Sequence, residues 1–359
     1  MVSTMLKSRR IRLELFFSSF NLDAILFSNM LTIRYLCGFS GSDGALLLTR
    51  DVACFLCDSR YTTQAGTEVA DAEIRQFTVK LDAVAELIKG MELSRIGFEE
   101  AHTTVGNFRE LSEKLAGLEL VALSSELDQI RSCKDHDEIA LLEDIASLAS
   151  SSLISVLPML KPGVSEKDIA RELEFEMRRR GADGRGFDFI VASGERGALP
   201  HGSASDKLIR NGELVTIDFG AIRDGYHSDE TVTVAVGTPD ERSREIYMTV
   251  KEAHDRAIDA VAPGVYARQL DAVAREYIKE RGYGDFFGHG LGHGVGLDVH
   301  EKPVISPRSD TMLEEGMVFT VEPGIYIPGI GGVRIEDTLV VTAKGCRLLT
   351  KVPKELMIV

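Results

Sequence analysis

A chain of 359 residues exceeds one ordinary core and predicts two domains, at roughly 150 residues each. Its 44% hydrophobic and 27% charged content are those of a globular protein, and its net charge of −15 sets the surface against phosphate backbones and anionic lipid. Nucleic-acid and membrane partners are therefore not expected, whereas an excess of carboxylates is compatible with a site for hard cations.

A basic patch at Lys7, Arg9, Arg10 and Arg12 is followed by no apolar run of signal-peptide length. No stretch is expected to reach the ~18 apolar residues of a membrane span. A helical pattern over residues 11–20 precedes a short buried strand at 23–28. Two further strands, 44–49 and 53–57, are joined by a turn at Arg50-Asp51. Helices near 62–70, 83–89 and 105–115 complete a small α/β domain over residues 1–125. Asp58-Ser-Arg60-Tyr61 reads equally as a turn or as a polar group reaching a neighbouring site. The cysteines, Cys37, Cys54, Cys57, Cys133 and Cys346, are odd in number, and the single C-x-x-C has no second half. They read as buried thiols of a reducing compartment, hence a cytoplasmic protein.

The second domain, residues 126–359, opens with a long helical pattern from Asp135 to about Leu157 and contains an internal repeat. Pro162-Gly163 precedes an amphipathic helix that closes at Arg180-Gly181, and Pro263-Gly264 precedes another that closes at Arg281-Gly282. Ser165 with Asp168 makes a capping pair for the first. The repeat implies two related halves with an active site between them.

Each half follows its helix with acid-bearing strands. The first carries Asp218 and Asp229 on β-rich runs joined by an Asp224-Gly225 turn, so closing the hairpin brings the two acids together. The second carries Glu322 and Glu336 near the same offset. Four carboxylates in apolar strands are costly unless cations neutralise them, since even one buried unpaired carboxylate costs several kcal/mol, roughly. Between them, residues 288–301 carry His289, His293 and His300, with glycine at every second place from 288 to 296. An extended chain there puts His289, Leu291, His293 and Val295 on one side and bare backbone on the other. Four carboxylates and an imidazole suit two divalent ions of the Mn²⁺ type, with Co²⁺, Zn²⁺ or Fe²⁺ as alternatives. Such a pair activates water for hydrolysis without a protein nucleophile.

Five segments carry a resemblance: Ile217-Asp-Phe-Gly220, Tyr226-His-Ser-Asp229, His289-Gly-Leu-Gly-His293 through His300, Val321-Glu-Pro-Gly-Ile-Tyr326, and Arg334-Ile-Glu-Asp337. In order and spacing they resemble the pita-bread metallopeptidases, the family of methionine aminopeptidase, prolidase and aminopeptidase P. Residues 33–41 and 58–61 are similar to the creatinase/prolidase N-terminal domain, which implies the proline-directed branch. The implied architecture is α+β, with a smaller α/β N-terminal domain and a C-terminal pita-bread domain built on a pseudo-twofold repeat.

The resemblance implies that Asp218, Asp229, His293, Glu322 and Glu336 hold the two ions, with Asp229 and Glu336 bridging. It implies that Glu322 shuttles the proton to the leaving proline nitrogen. His201, His289 and His300 would hydrogen-bond substrate and oxyanion. Arg334 would orient Glu336 or neighbouring acids, and Phe187 would line the proline pocket or pack in the core. The expected substrate is a peptide with proline at the second position, and the expected assembly a homodimer. The first expectation is an Xaa-Pro aminopeptidase, with Xaa-Pro dipeptidase as the alternative and a non-catalytic peptide-binding module as the alternative of another class.

Overall fold

The computed structural model describes residues 9–359, so Lys7 of the basic patch lies outside the described residues. The chain divides into two compact units, the first ending at Arg131 and the second running Ser132–Val359.

In the first unit, β1 (Ala24–Phe27), β2 (Ala45–Thr49), β3 (Ala53–Cys57), β4 (Glu73–Gln76), β5 (Arg95–Glu99) and β6 (Glu119–Leu123) form one sheet in the order β4-β3-β2-β1-β5-β6. β1 and β3 are buried at every position, as continuous apolar runs require when both faces are covered. Helices at Thr62–Glu68, Lys80–Gly90 and Val105–Lys114 stand where their patterns place them. The expected helix over 11–20 is shorter, Glu14–Ser19. β4 escaped sequence reading because Glu-Ile-Arg-Gln is exposed throughout and has no apolar face. Asp58-Ser-Arg60-Tyr61 is a turn: Asp58 Oδ1 accepts the Arg60 N–H at 2.8 Å, and Asp58 also takes the Arg60 guanidinium.

The second unit opens with helix His136–Val156. Its N-cap Asp135 and Glu138 satisfy each other's backbone N–H groups. With residues 157–159 this helix holds an 18-residue window of mean hydropathy 1.5, so an apolar stretch of spanning length does exist, contrary to expectation. Half of that window is buried within the protein, and the buried Leu142, Ile145, Ala146, Ala149, Leu153 and Val156 recur at three- and four-residue spacing. That is the stripe of a core helix.

The repeat is written in the backbone hydrogen bonds. Gly163 N–H donates to Ile209 O at 2.9 Å, and Gly264 N–H donates to Leu313 O at 2.8 Å. Bridges Ser165–Leu208 and Tyr266–Met312 follow in register. Helices Glu166–Arg179 and Ala267–Glu280 then run to Gly181 and Gly282, with φ of +100° and +86°. Ser165 Oγ caps the first by accepting the Asp168 N–H at 3.1 Å.

The strands of this unit are β7 (Gly184–Arg185), β8 (Ile190–Ser193), β9 (Leu214–Phe219), β10 (Ala221–Arg223), β11 (Tyr226–His227), β12 (Glu230–Ala235), β13 (Gly292–Gly294), β14 (Glu301–Ile305), β15 (Val318–Val321), β16 (Gly324–Ile327), β17 (Gly331–Arg334), β18 (Asp337–Thr342) and β19 (Gly345–Leu348). β12-β9-β8 form one antiparallel layer, and β14-β13-β15-β18-β19 form the other main sheet. β9 pairs β12 with Asp218 opposite Thr231, and β15 pairs β18 with Val321 opposite Asp337. A bridge between Thr231 and Glu336 ties the two hairpins together. Asp224-Gly225 closes β10 onto β11 with both φ positive, +48° and +71°.

Candidate metal centre

Both hairpins deliver their acids to one place. Asp229 stands at the entry of β12, and Glu336 at the entry of β18. One oxygen from each, together with one His293 nitrogen, lies within 4.8 Å of the others. His293 Nε2 is also 3.3 Å from Glu322 Oε1 and 3.7 Å from Asp229 Oδ2. Asp218 faces them from β9. All five residues expected to form the cage line one cavity of about 510 Å³.

The glycine-spaced segment reaches this cage because it can lie against other backbones. A Cβ on Gly292 would meet Thr320 O at 1.9 Å, and one on Gly294 would meet Lys302 O at 2.2 Å. The extended stretch is shorter than expected, since β13 covers three residues and slips register after His293. Leu291 and Val295 therefore do not share the histidines' side. Leu291 packs in the apolar core, while Gly290 and Gly292 line the cavity. Arg275 pins the segment from the Ala267–Glu280 helix, donating to Phe287 O at 3.0 Å and His289 O at 2.6 Å. Its partner Asp271 accepts the Leu291 N–H at 3.0 Å.

The electrostatics are those of acids crowded away from water. Burial, reinforced by Glu336, Asp218 and Glu322, lifts the Asp229 carboxyl well above its ordinary value. Burial, with Glu322 and Asp218 close by, does the same to Glu336. Burial also raises Glu322 and lowers His289 and His293. His300, open to solvent on one side, is lowered by partial desolvation and then by its neighbour His293, the two rings standing 4.3 Å apart.

Supporting groups fix each side chain. Thr231 Oγ1 donates to Glu336 Oε2 at 2.6 Å, and Thr320 Oγ1 donates to Glu322 Oε1 at 3.2 Å. Arg334 is 4% exposed and reaches Asp218 Oδ2, Tyr326 OH, Pro200 O and Thr231 Oγ1. It thus braces Asp218, whereas Thr231 braces Glu336. His289 Nδ1 lies 2.7 Å from the Gly290 carbonyl, which can only accept, so Nδ1 carries the proton. Its Nε2 faces Tyr326 OH at 2.9 Å. His201 and His300 are exposed and line the cavity without such ties, and Phe187 lines it half-buried against Phe189. Thr231, Thr320, Tyr326, Asp271 and Arg275 were missed as site residues. Only Asp271 and Arg275 left a signal, their four-residue helical spacing, and it is too common to single out a site.

The donor set fits divalent cations. Asp218 Oδ1 is buried with no hydrogen-bond partner, an arrangement that costs about 1–3 kcal/mol or more without a cation to receive it. His293 Nδ1 sits 3.1 Å from the Gly294 carbonyl, leaving Nε2 free toward the acids, the orientation a backbone acceptor imposes on a ligating histidine. Carboxylates with one imidazole suit Mn²⁺-like ions better than thiolate-seeking ones.

Residues 140–343 match metallopeptidase family M24, and residues 9–133 match the creatinase/prolidase N-terminal domain. The chain belongs to family M24. This M24 metallopeptidase is similar to a solved Xaa-Pro dipeptidase from Bacillus anthracis, with 43% identity over 99% of this chain and 100% of that one and a TM-score of 0.95. It is 40% identical to the Xaa-Pro dipeptidase of Pyrococcus furiosus over 98% of this chain and 100% of that protein. A solved X-Pro aminopeptidase from Thermotoga maritima is also similar, with 39% identity over 95% of this chain and 99% of that one and a TM-score of 0.88. The fold class read from the sequence is the fold found. This M24 peptidase joins a creatinase-type N-terminal domain to a catalytic domain of mixed helix and sheet.

Proposed function

We propose that this chain is an Xaa-Pro dipeptidase, hydrolysing the bond between a first residue and the proline that follows it. The observation carrying the reading is the convergence of Asp218, Asp229, His293, Glu322 and Glu336 on one cavity, with a buried Asp218 oxygen left for a cation. The order of preference given by the sequence is reversed, because relatives of 40% and 43% identity over nearly the whole chain bear the dipeptidase name.

The cage would hold two divalent ions, Mn²⁺ before Co²⁺, Zn²⁺ or Fe²⁺, with Asp229 and Glu336 shared between them. When bound, such a pair supplies Lewis acidity toward the scissile carbonyl and acidifies a coordinated water. Glu322 Oε then takes a proton from the attacking water and returns it to the leaving proline nitrogen. His300 and His201, untied at the rim, offer hydrogen bonds to the substrate and to the developing oxyanion. A substrate bond from His289 would have to replace the one to Tyr326, so we assign His289 the task of holding that wall. Phe187, Ile190, Val299 and Val304 give the cavity an apolar side for a pyrrolidine ring. All five cysteines are free thiols, in keeping with a cytoplasmic site of action.

One observation favours Xaa-Pro aminopeptidase as the second reading. Among the described residues lining the cavity, the guanidinium available to a dipeptide's carboxylate is Arg334, and it is already engaged with Asp218, Tyr326, Pro200 and Thr231. A longer peptide carries no carboxylate at that place. A panel of X-Pro, X-Pro-Y and longer peptides, read by mass with Mn²⁺ present, separates the two. Cleavage confined to X-Pro supports the dipeptidase, and equal cleavage of tripeptides and longer chains overturns it. Failure to cleave any of them with Mn²⁺, Co²⁺, Zn²⁺ or Fe²⁺ turns the protein into a peptide-binding module.

A further inference from the structure

Strand alternation sends neighbours of the cage acids to the opposite face of the same strands. Asp229 and Glu336 face the cavity, so Glu230 and Asp337, the next residues along, face the interior behind it. These two are 1% and 2% exposed, which makes a second pair of buried acids directly behind the first. Lys354, 8% exposed, lies between them. Its Nζ donates to Glu230 Oε1 at 2.5 Å and stands 3.2 Å from Asp337 Oδ1.

Around this cation the acids are held from all sides. Glu230 accepts from the Val352 N–H at 3.0 Å and from Ser150 Oγ at 2.5 Å. Asp337 accepts from Thr350 Oγ1 at 2.5 Å and stands 3.2 Å from His254 Nε2. The segment carrying Lys354 is itself anchored: Tyr247 OH donates to Lys354 O at 3.0 Å, and Ala235 bridges to Ile358. On the cavity side, β12 and β18 are joined by the Thr231–Glu336 bridge and by Thr338 Oγ1 donating to Asp229 O at 2.6 Å.

The spacing between the two acids that would bridge the ions is therefore set twice, by backbone on the cavity side and by one ammonium on the far side. We propose that Lys354 is a positioning residue for the metal centre, clamping residues 229–230 to residues 336–337 so that Asp229 and Glu336 can be shared by two ions. The inference rests on the two-ion reading above. Without the clamp, Glu230 and Asp337 repel each other and the strands separate at the cage. Both ions would depend on the shared carboxylates, so the more weakly held of the two is lost first.

The test compares metal-free wild type and Lys354→Met by calorimetric titration with Mn²⁺ alone, by electron paramagnetic resonance of the titrated protein, and by circular dichroism. The expected variant keeps native dichroism and binds the second Mn²⁺ at least ~10-fold more weakly, within the usual range for loss of an outer partner. The signal of an exchange-coupled Mn²⁺ pair gives way to that of single ions. At saturating Mn²⁺, kcat for Gly-Pro falls while KM holds, and Lys354→Arg restores part of the coupled signal. A folded Lys354→Met that binds two ions with wild-type affinity overturns the inference. If Lys354→Met does not fold, Lys354→Gln carries the test with the same two outcomes, because its amide can donate to one buried acid but supplies no charge to hold both. A wild-type chain that never binds a second Mn²⁺ refutes the two-ion reading itself, an outcome distinct from failure of the clamp.

Discussion

Replacing Arg334 by Met tests the electrostatic design of the site without touching an expected ligand. The guanidinium is buried and is the countercharge of Asp218, and it also donates to Tyr326 OH and Pro200 O at 3.0 Å each. Methionine keeps most of the volume but leaves Asp218 buried beside three other acids. Removing one partner of a buried ion pair costs about 3–5 kcal/mol. At roughly 2–4 °C per kcal/mol for a unit of this size, the metal-free variant should melt ~6–20 °C below metal-free wild type. Divalent ions give Asp218 a countercharge that wild type already has in Arg334 and the variant lacks, so binding stabilises the variant by more than it stabilises wild type. The deficit should therefore shrink when Mn²⁺ is saturating. Differential scanning calorimetry after chelation, and again with Mn²⁺, reads both numbers. A metal-free Arg334→Met that melts within 2 °C of wild type, by the same ~2–4 °C per kcal/mol, would refute the reasoning. Arg334→Lys should recover only part of the loss, because an ammonium cannot reach Asp218 and Tyr326 with a planar fork.

Glu322→Ala is expected to abolish turnover, by at least ~10³-fold in kcat, since it removes both a proton carrier and a ligand; steady-state kinetics with Gly-Pro at saturating Mn²⁺ checks this, and a wild-type kcat contradicts it. His300→Ala should lower kcat while leaving bound Mn²⁺ unchanged by elemental analysis. Loss of metal with normal kcat would move His300 into the cage. Metal-free protein should lose stability as pH rises. Asp229 and Glu336 hold protons in the fold that the unfolded chain releases near 3.8 and 4.5. Their contribution is complete below those values and is lost as pH climbs through the raised ones. The slope is at most about 1.4 kcal/mol per pH unit for each group, and saturating Mn²⁺ should flatten it. Urea midpoints measured across pH 4–8 with and without Mn²⁺ would expose a slope of the opposite sign.

Much of the catalytic unit was legible because its signals are local. Pro-Gly at a helix entrance, glycine past its end and Asp-Gly at a hairpin each specify backbone conformation, and Gly163, Gly181, Gly225, Gly264 and Gly282 all take the positive φ those patterns call for. Asp218 and Asp229 could be brought together from the sequence because an antiparallel hairpin fixes register. Thr231 and Tyr326 could not be found, because their roles depend on the bridge between hairpins over a hundred residues apart and on an arginine's reach. The Leu291 error has a similar origin. Alternation assumes a strand, and a glycine-rich segment follows whatever its neighbours' backbones allow. β4 carried no apolar pattern, so only its pairing to β3 makes it a strand.

The central proposal is that five side chains hold two divalent ions. The most direct measurement is equilibrium dialysis of the metal-free protein against Mn²⁺, with metal counted per chain for wild type and for Asp229→Asn and Glu336→Gln. Two ions in wild type and fewer in each variant are predicted, the losses following the two carboxylates that would be shared. A wild-type chain holding one ion or none, or variants that still hold two, would contradict it.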